Sequence, residues 1–119
     1  MPTDPRKERG EAGEDAALGV YVQRGYRLVA RNWRCRLGEL DLVLVRGDTL
    51  VFCEVKTRRG SAFGGGYEAV TWRKRAKLRS LAEAFLQESR ARPGATRFDV
   101  ASVALSPRGS QIELFEDAF

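Results

Sequence analysis

Between Gly38 and Arg58 the chain reads GELDLVLVRGDTLVFCEVKTR, two nearly continuous apolar runs joined at Gly47-Asp48, each with acids at the end far from that turn. Apolar runs of this length between turn residues suit strands covered on both faces. The pattern therefore predicts a hairpin of strands Glu39–Val45 and Leu50–Thr57. Tyr26–Cys35 reads as an earlier strand, and Lys7–Arg24 as a helix closed by Gly25, where a left-handed cap is wanted. Residues 1–6 read as a loose arm. In the helix Ala17, Leu18 and Tyr21 share one face, and Glu14 precedes them at helical spacing, so it points toward the core. Beyond the hairpin, Arg58–Val70 is a Gly-rich loop. A long helix over about Thr71–Arg90 carries Leu78, Leu81, Ala82 and Phe85 at three- and four-residue spacing. Arg92-Pro93-Gly94 stops it, and Arg97–Leu105 and Gln111–Glu116 are two further strands. No repeat interrupts this order. Helix, three strands, helix, strand, strand predicts an α/β fold, a mixed central sheet of about five strands flanked by helices.

Length and composition narrow the chemistry. With 119 residues the chain suits a single domain spanning 1–119, able to bury roughly two thirds of its unfolded surface without disulfides. Cys35 and Cys53 both fall in apolar strand contexts, and Cys53 reads as a buried hydrophobe. There is no histidine, which removes Ser-His-Asp triads, Cys-His pairs and zinc sites of the usual Cys/His kind. Any hydrolysis must then run on carboxylates, lysine and a bound metal. No apolar targeting or membrane-spanning segment is present, so a cytoplasmic location and no membrane partner are expected. Net charge is +5, unevenly spread. From Lys56 to Arg92 ten Lys/Arg stand against three acids, a local +7 that leaves −2 for the rest. A polyanion, nucleic acid before an anionic membrane surface, is the natural partner for that region.

The hairpin's acids pose the sharper question. If Gly47-Asp48 forms a two-residue type II′ turn, residues pair across the strands when their numbers sum to 95. Asp41 is then opposite Glu54 and Glu39 opposite Lys56, all four on one face. Two carboxylates about 5 Å apart repel by roughly 3 kcal/mol at an effective dielectric of about 20, so a cation is expected between them. Hard oxygen ligands without histidine favour Mg²⁺ or Mn²⁺ over Zn²⁺. The alternative is a set of ordinary strand-end charges, with Glu39–Lys56 a surface ion pair worth under about 1 kcal/mol. Against it stand Leu40, Leu42, Leu44, Val51, Cys53 and Val55 on the opposite face, with Val43, Val45, Leu50 and Phe52 on the charged one. A sheet so covered puts its charges at the edge of a core.

GELDLV followed by VFCEVKTR resembles the acid, acid, lysine motif of the PD-(D/E)xK nuclease superfamily, with Asp41, Glu54 and Lys56 in the matching positions. GEAGEDAA (10–17), GYRLVARNWR (25–34), EAVTWRKRAKL (68–78), RFDV (97–100) and the closing DAF narrow the likeness to the YraN-like family of uncharacterised bacterial proteins. It covers nearly the whole chain. The resemblance implies a restriction-endonuclease-like core, and the related archaeal-type Holliday-junction resolvases use a helix-borne glutamate for which Glu14 is the matching position. Here LD replaces the usual PD, leaving the acid in place. The implied chemistry is metal-assisted phosphodiester hydrolysis. Asp41 and Glu54, with Glu14 and the Val55 backbone carbonyl, hold Mg²⁺ or Mn²⁺, while Lys56 orients the attacking water or stabilises developing charge. Glu39 is a supporting residue that holds Lys56.

RKRAKLR, Arg73–Arg79, places five cations in the first turns of a helix, where the macrodipole disfavours them by a few tenths to about 1 kcal/mol each. Phosphate binding would explain Arg58, Arg73, Lys74, Arg75, Lys77 and Arg79; a merely solvated helix face is the alternative. Lys74 faces the sheet by its spacing to Leu78 and Leu81, whereas Arg73 and Lys77 point outward. Trp72 and Tyr67 read as core residues, with stacking on an unpaired base as the other use. FGGGY, Phe63–Tyr67, is not a P-loop, since no Gly-Lys-Ser/Thr follows; it reads as a loop beside the site. Arg97 and Asp99 suit an internal ion pair, and Phe115 and Phe119 would cover a core edge or join two subunits of a homodimer. The expectation is a metal-dependent DNA endonuclease, with branched or structured DNA as candidate substrate. A catalytically inactive nucleic-acid-binding module is the alternative, and a protein-interaction domain the third.

Overall fold

The computed structural model describes residues 5–59 and 71–119. Most of the expected loop Arg58–Val70, with Tyr67, and residues 1–4 of the expected arm lie outside them. Helix α1 (Pro5–Gln23) starts two residues before its predicted beginning, and strands β1 (Arg27–Cys35), β2 (Gly38–Arg46) and β3 (Thr49–Arg59) follow. Helix α2 (Trp72–Ser89) then leads to β4 (Ala95–Ser106) and β5 (Gly109–Phe115). The chain is thus α/β with the predicted element order, and its five strands form one mixed sheet in the order β1-β2-β3-β4-β5. Only β3 and β4 run parallel, joined through α2; the other neighbours are antiparallel.

Local chemistry explains the ends of the elements. After α1, Gly25 (φ +89°) takes the left-handed position, the Tyr26 amide donates to the Tyr21 carbonyl and the Gly25 amide to that of Val22, both at 3.0 Å. This pair of bonds is a Schellman cap. Thr71 caps α2 by accepting the Lys74 amide, and Arg90 closes it at φ +60°. At the hairpin tip Gly47 has φ +61° while Asp48 stays negative, as a type II′ turn requires. The Asp48 carbonyl then accepts the Gly94 and Ala95 amides, tying the tip of the hairpin to the start of β4.

The sheet is covered on both faces. On one, Ala17 and Tyr21 of α1 bury with Tyr26, Leu42, Leu44, Val51, Cys53, Ala101 and Val103. On the other, Leu78, Leu81, Ala82 and Phe85 of α2 bury with Leu40, Val43, Leu50 and Phe52. Leu40 thus joins the α2 side, not the α1 side of Leu42 and Leu44 as strict alternation predicted. The slip lies where β1 pairs Arg31 with Leu42 and Trp33 with Leu40. Between those pairs Asn32 of β1 is left-handed, φ 53°, while the register shift of this ladder lies earlier, between Leu28 and Ala30.

Cys53 is buried and both cysteines are free. Arg97 and Asp99 form the expected ion pair. Its guanidinium donates to both Asp99 oxygens at 2.9 Å, and Tyr21 (2.7 Å) and the Asp117 amide (2.9 Å) donate to the same fully buried carboxylate. Phe119 stacks on Phe98 and covers the edge of the α2-side core. Trp72 departs from expectation: it is 73% exposed, because it opens α2 six residues before the first buried residue, Leu78.

Candidate functional site

The β2–β3 ladder follows the predicted register from Arg46–Thr49 to Leu42–Cys53 and is recorded no further. Beyond that point the Val55 amide donates to Asp41 Oδ2 at 2.8 Å. A side chain replaces a strand-to-strand bond here, so the Asp41 carboxylate sits in the opening between the two strands, near the plane of the sheet. In an extended strand the N–H and C=O of one residue point to the same neighbour. The Val55 carbonyl therefore turns toward this opening as well.

The four hairpin residues do not make a single row. Asp41 and Glu39 gather with Glu14 of α1, one carboxylate oxygen from each lying within 4.8 Å of the others. Glu54 and Lys56 lie toward α2, where Glu54 Oε1 is 3.3 Å from Lys56 Nζ and 3.1 Å from Lys74 Nζ. Glu39 does not hold Lys56. It pairs with Arg34 of β1, its cross-strand neighbour, at 2.7 Å, while Lys56 turns to Glu54. Glu39 stands between the two groups, since it also lines the cleft that holds Glu54 and Lys74.

Glu14 owes its place to close packing. A methyl group on the preceding residue, Gly13, would collide with Thr57 of β3, so only glycine lets α1 approach this far. Glu14 is buried, and its Oε1 accepts Arg31 Nε (3.0 Å) and Asn32 Nδ2 (3.1 Å). Both come from consecutive residues of β1, which the left-handed Asn32 brings to one side. Each acid is thus held by one oxygen: Glu14 by Oε1, Glu39 by Oε2, Asp41 by Oδ2, Glu54 by Oε1. Among the described residues these bonds engage only one oxygen of each of the four carboxylates. Protein donors that fix one oxygen and leave the other are how metal-binding carboxylates are oriented.

Electrostatics follow from this crowding. Burial, then the nearby Glu54 charge, lifts the Asp41 carboxyl to about 7, against the pull of the Val55 amide. Lys56 is lowered, by burial first and by Lys74 next. Lys74 is raised, the hydrogen bond to Lys56 and the Glu54 charge outweighing its burial. Two ammonium groups on one carboxylate oxygen thus differ in proton affinity, and Lys56 is the readier to release its proton.

Two clefts meet at these acids. One of about 510 Å³ is lined by Lys7, Gly10, Glu11, Glu14, Asn32, Arg34 and Glu39. The other, about 120 Å³, has Glu39, Glu54, Lys74, Lys77, Leu78 and Leu81 around it. Lys77, expected to point outward, lines the second cleft because its stem lies over Gly38, whose missing side chain leaves room. Of the other cations, Arg73 lies over the Trp72 ring, Arg75 over Phe119, and Arg79 over Phe98 and Phe119. Arg58 is half-buried near the end of β3. Sequence reasoning passed over Arg31, Asn32 and Arg34, whose role depends on the pairing of β1 with β2. The signal available was three polar residues interleaved with apolar ones in ARNWRC.

The sequence profile of the uncharacterised protein family UPF0102 matches residues 13–103. A UPF0102 protein of Parafrankia sp. (strain EAN1pec) is 50% identical over 101 residues, 85% of this chain and 86% of that one. One from Ectopseudomonas mendocina (strain ymp) is 49% identical over 112 residues, 92% of each chain. A third, from Pelotomaculum thermopropionicum, is 44% identical over 118 residues and 98% of both.

Proposed function

Since the chain belongs to the uncharacterised protein family UPF0102, we propose its activity from the site's own chemistry: metal-dependent hydrolysis of phosphodiester bonds in DNA. One observation carries this reading. Carboxylates from two separate elements, Glu14 on α1 and Glu39 and Asp41 on β2, crowd within 4.8 Å of one another, and burial with the Glu54 charge lifts Asp41 to about 7. Such a concentration of negative oxygen is costly without a cation.

The residues suit a hard divalent ion. Oxygen ligands of octahedral Mg²⁺ at about 2.1 Å lie roughly 3 to 4 Å apart, so closing the cluster on an ion takes about an ångström. Asp41 and Glu14 would hold it, with Glu39, Glu54 and the Val55 carbonyl as further oxygen donors. When bound, Mg²⁺ or Mn²⁺ lowers the pKa of a coordinated water and offsets charge on the phosphate. Lys56 stands beside the acids with its proton affinity lowered, suited to orienting that water or donating a hydrogen bond to developing charge. Lys74 and Lys77, with the exposed Arg73, would meet the flanking phosphates, and Arg58, Arg75 and Arg79 would add to the general positive field around α2. The likeness to PD-(D/E)xK nucleases and to archaeal-type Holliday-junction resolvases assigns Asp41, Glu54, Lys56 and Glu14 the same roles.

One observation favours a second reading, a nucleic-acid-binding module without catalysis. Glu54 Oε1 already carries two ammonium groups, the arrangement of a site in which ion pairs have taken a metal's place. A cleavage assay on duplex, single-stranded, flap and four-way DNA with Mg²⁺ or Mn²⁺ separates the two. Cleavage that disappears in Asp41→Asn and Lys56→Ala supports hydrolysis, and cleavage that survives both overturns this site's role. Binding without cleavage under every metal identifies the module.

A further inference from the structure

The first residue of α2 turns a large apolar ring to water. Trp72 is 73% exposed, while the cap from Thr71 to the Lys74 amide fixes the turn that carries it. The Arg73 guanidinium lies over one face of the ring, 5.7 Å from its centroid, so the opposite face is the one open to a stacking partner. Two residues on, Lys74 places its ammonium 3.1 Å from Glu54 Oε1. Residues two apart on an α-helix are separated by about 200° around the axis and about 3 Å along it. The ring and the Lys74 ammonium therefore occupy opposite flanks of the same turn, across a helix roughly 10 Å wide. That span is of the order of a dinucleotide.

Resting on the nuclease reading above, we propose that Trp72 is a stacking platform for an unpaired nucleobase, and that the substrate class is nucleic acid with a single-stranded segment beside the scissile phosphate. A strand crossing this end of the helix lays phosphates along the Lys74 and Lys77 flank and turns a base onto the indole. In a duplex both faces of every internal base are already covered by its neighbours, so only an unpaired or terminal base offers a face to the ring. Stacking of this kind tolerates any base, because each has a π surface. Arg73, over the other face of the indole, brings a positive charge near the adjoining phosphate.

The test is equilibrium binding by fluorescence anisotropy in EDTA, comparing a fully paired duplex with the same duplex carrying a single-stranded flap. Trp72→Ala should weaken flap binding by roughly 5- to 100-fold, the range alanine substitution gives for one stacked base. Duplex binding should stay within about twofold, and Trp72→Phe should keep most of the preference for the flap. Equal losses on both DNAs, no loss on either, or no binding to either overturn the inference. With the metal withheld, chemistry does not enter this measurement. Flap preference that persists while Mg²⁺ restores no cleavage removes the hydrolytic reading alone, whereas cleavage without a Trp72 effect removes only the stacking platform.

Discussion

Asp41 takes up a proton on folding. Its carboxyl is lifted to about 7 by burial and by Glu54, whereas the unfolded chain titrates near the ordinary value of about 4. The folded state therefore binds more protons between those values, and this contribution to stability is present below about pH 4 and lost as pH rises through about 7. Asp41→Asn keeps an oxygen for the Val55 amide and removes the charge. In metal-free protein it should raise the melting temperature at pH 8 by a few degrees, about 1 kcal/mol, and the gain should shrink below pH 7 and vanish toward pH 4; thermal melts across that range check it. Asp99 is the opposite case, buried but fully partnered. Arg97→Ala leaves that carboxylate without its charge partner and should cost about 3–5 kcal/mol in urea unfolding. Asp41, Glu54 and Lys56 were legible in sequence because charge stands out against the apolar runs around it. Arg31 and Asn32 were not, since their bonds to Glu14 depend on a left-handed residue inside a strand, a conformation that no local spacing announces.

Helix α1 reaches the site because Gly13 lies against Thr57 of β3. Gly13→Ala raises intrinsic helix propensity yet must push the helix outward, so a net loss of about 1–3 kcal/mol is expected, together with weakened metal binding by isothermal titration as Glu14 is displaced. Helix α2 carries its cations at the wrong end for its dipole and no acid in its first turn. Replacing Arg73 by Gln should stabilise it by a few tenths of a kcal/mol, while replacing Arg73 and Lys77 together should reduce the salt dependence of DNA binding by about 0.9 in log–log slope per lost phosphate contact. Gain in thermal stability with a flatter salt slope is the joint signature to measure. The ends of both helices were legible from Gly25 and Pro93, residues whose backbone constraints act locally, whereas α1 begins two residues earlier than expected and Thr71 is the cap of α2, not its first helical residue. Trp72 was misjudged as a core residue, because large apolar side chains are usually, not necessarily, inside. The alternation of β2 failed at Leu40 for a related reason: register is a property of strand pairs, and one strand's pattern does not contain its neighbour's irregularity.

Across the whole molecule, two helices cover opposite faces of one sheet, and the acids lie where β2 and β3 part, reached from both sides. No described helix is long and apolar enough to cross a membrane. A cation bound at this seam would tie α1 to the hairpin and stabilise the folded state by mass action. Mg²⁺ or Mn²⁺ should therefore raise the melting temperature, by about 2.7 kcal/mol in stability at a hundredfold excess over Kd. Because Asp41 must first lose its proton, the rise should be larger at pH 8 than at pH 6, and absent in Asp41→Asn. The parallel register of β3 and β4 extends from Thr49–Ala95 to Arg59–Leu105, each pair forty-six positions apart. Ribosomes deliver that many residues in about 2 to 9 seconds. Until β4 pairs with it, the outer edge of β3 is an unsatisfied border that another copy could pair with. Folding of this strand therefore waits on a partner forty-six positions further along the chain, and its eleven-residue edge stays open until that partner docks.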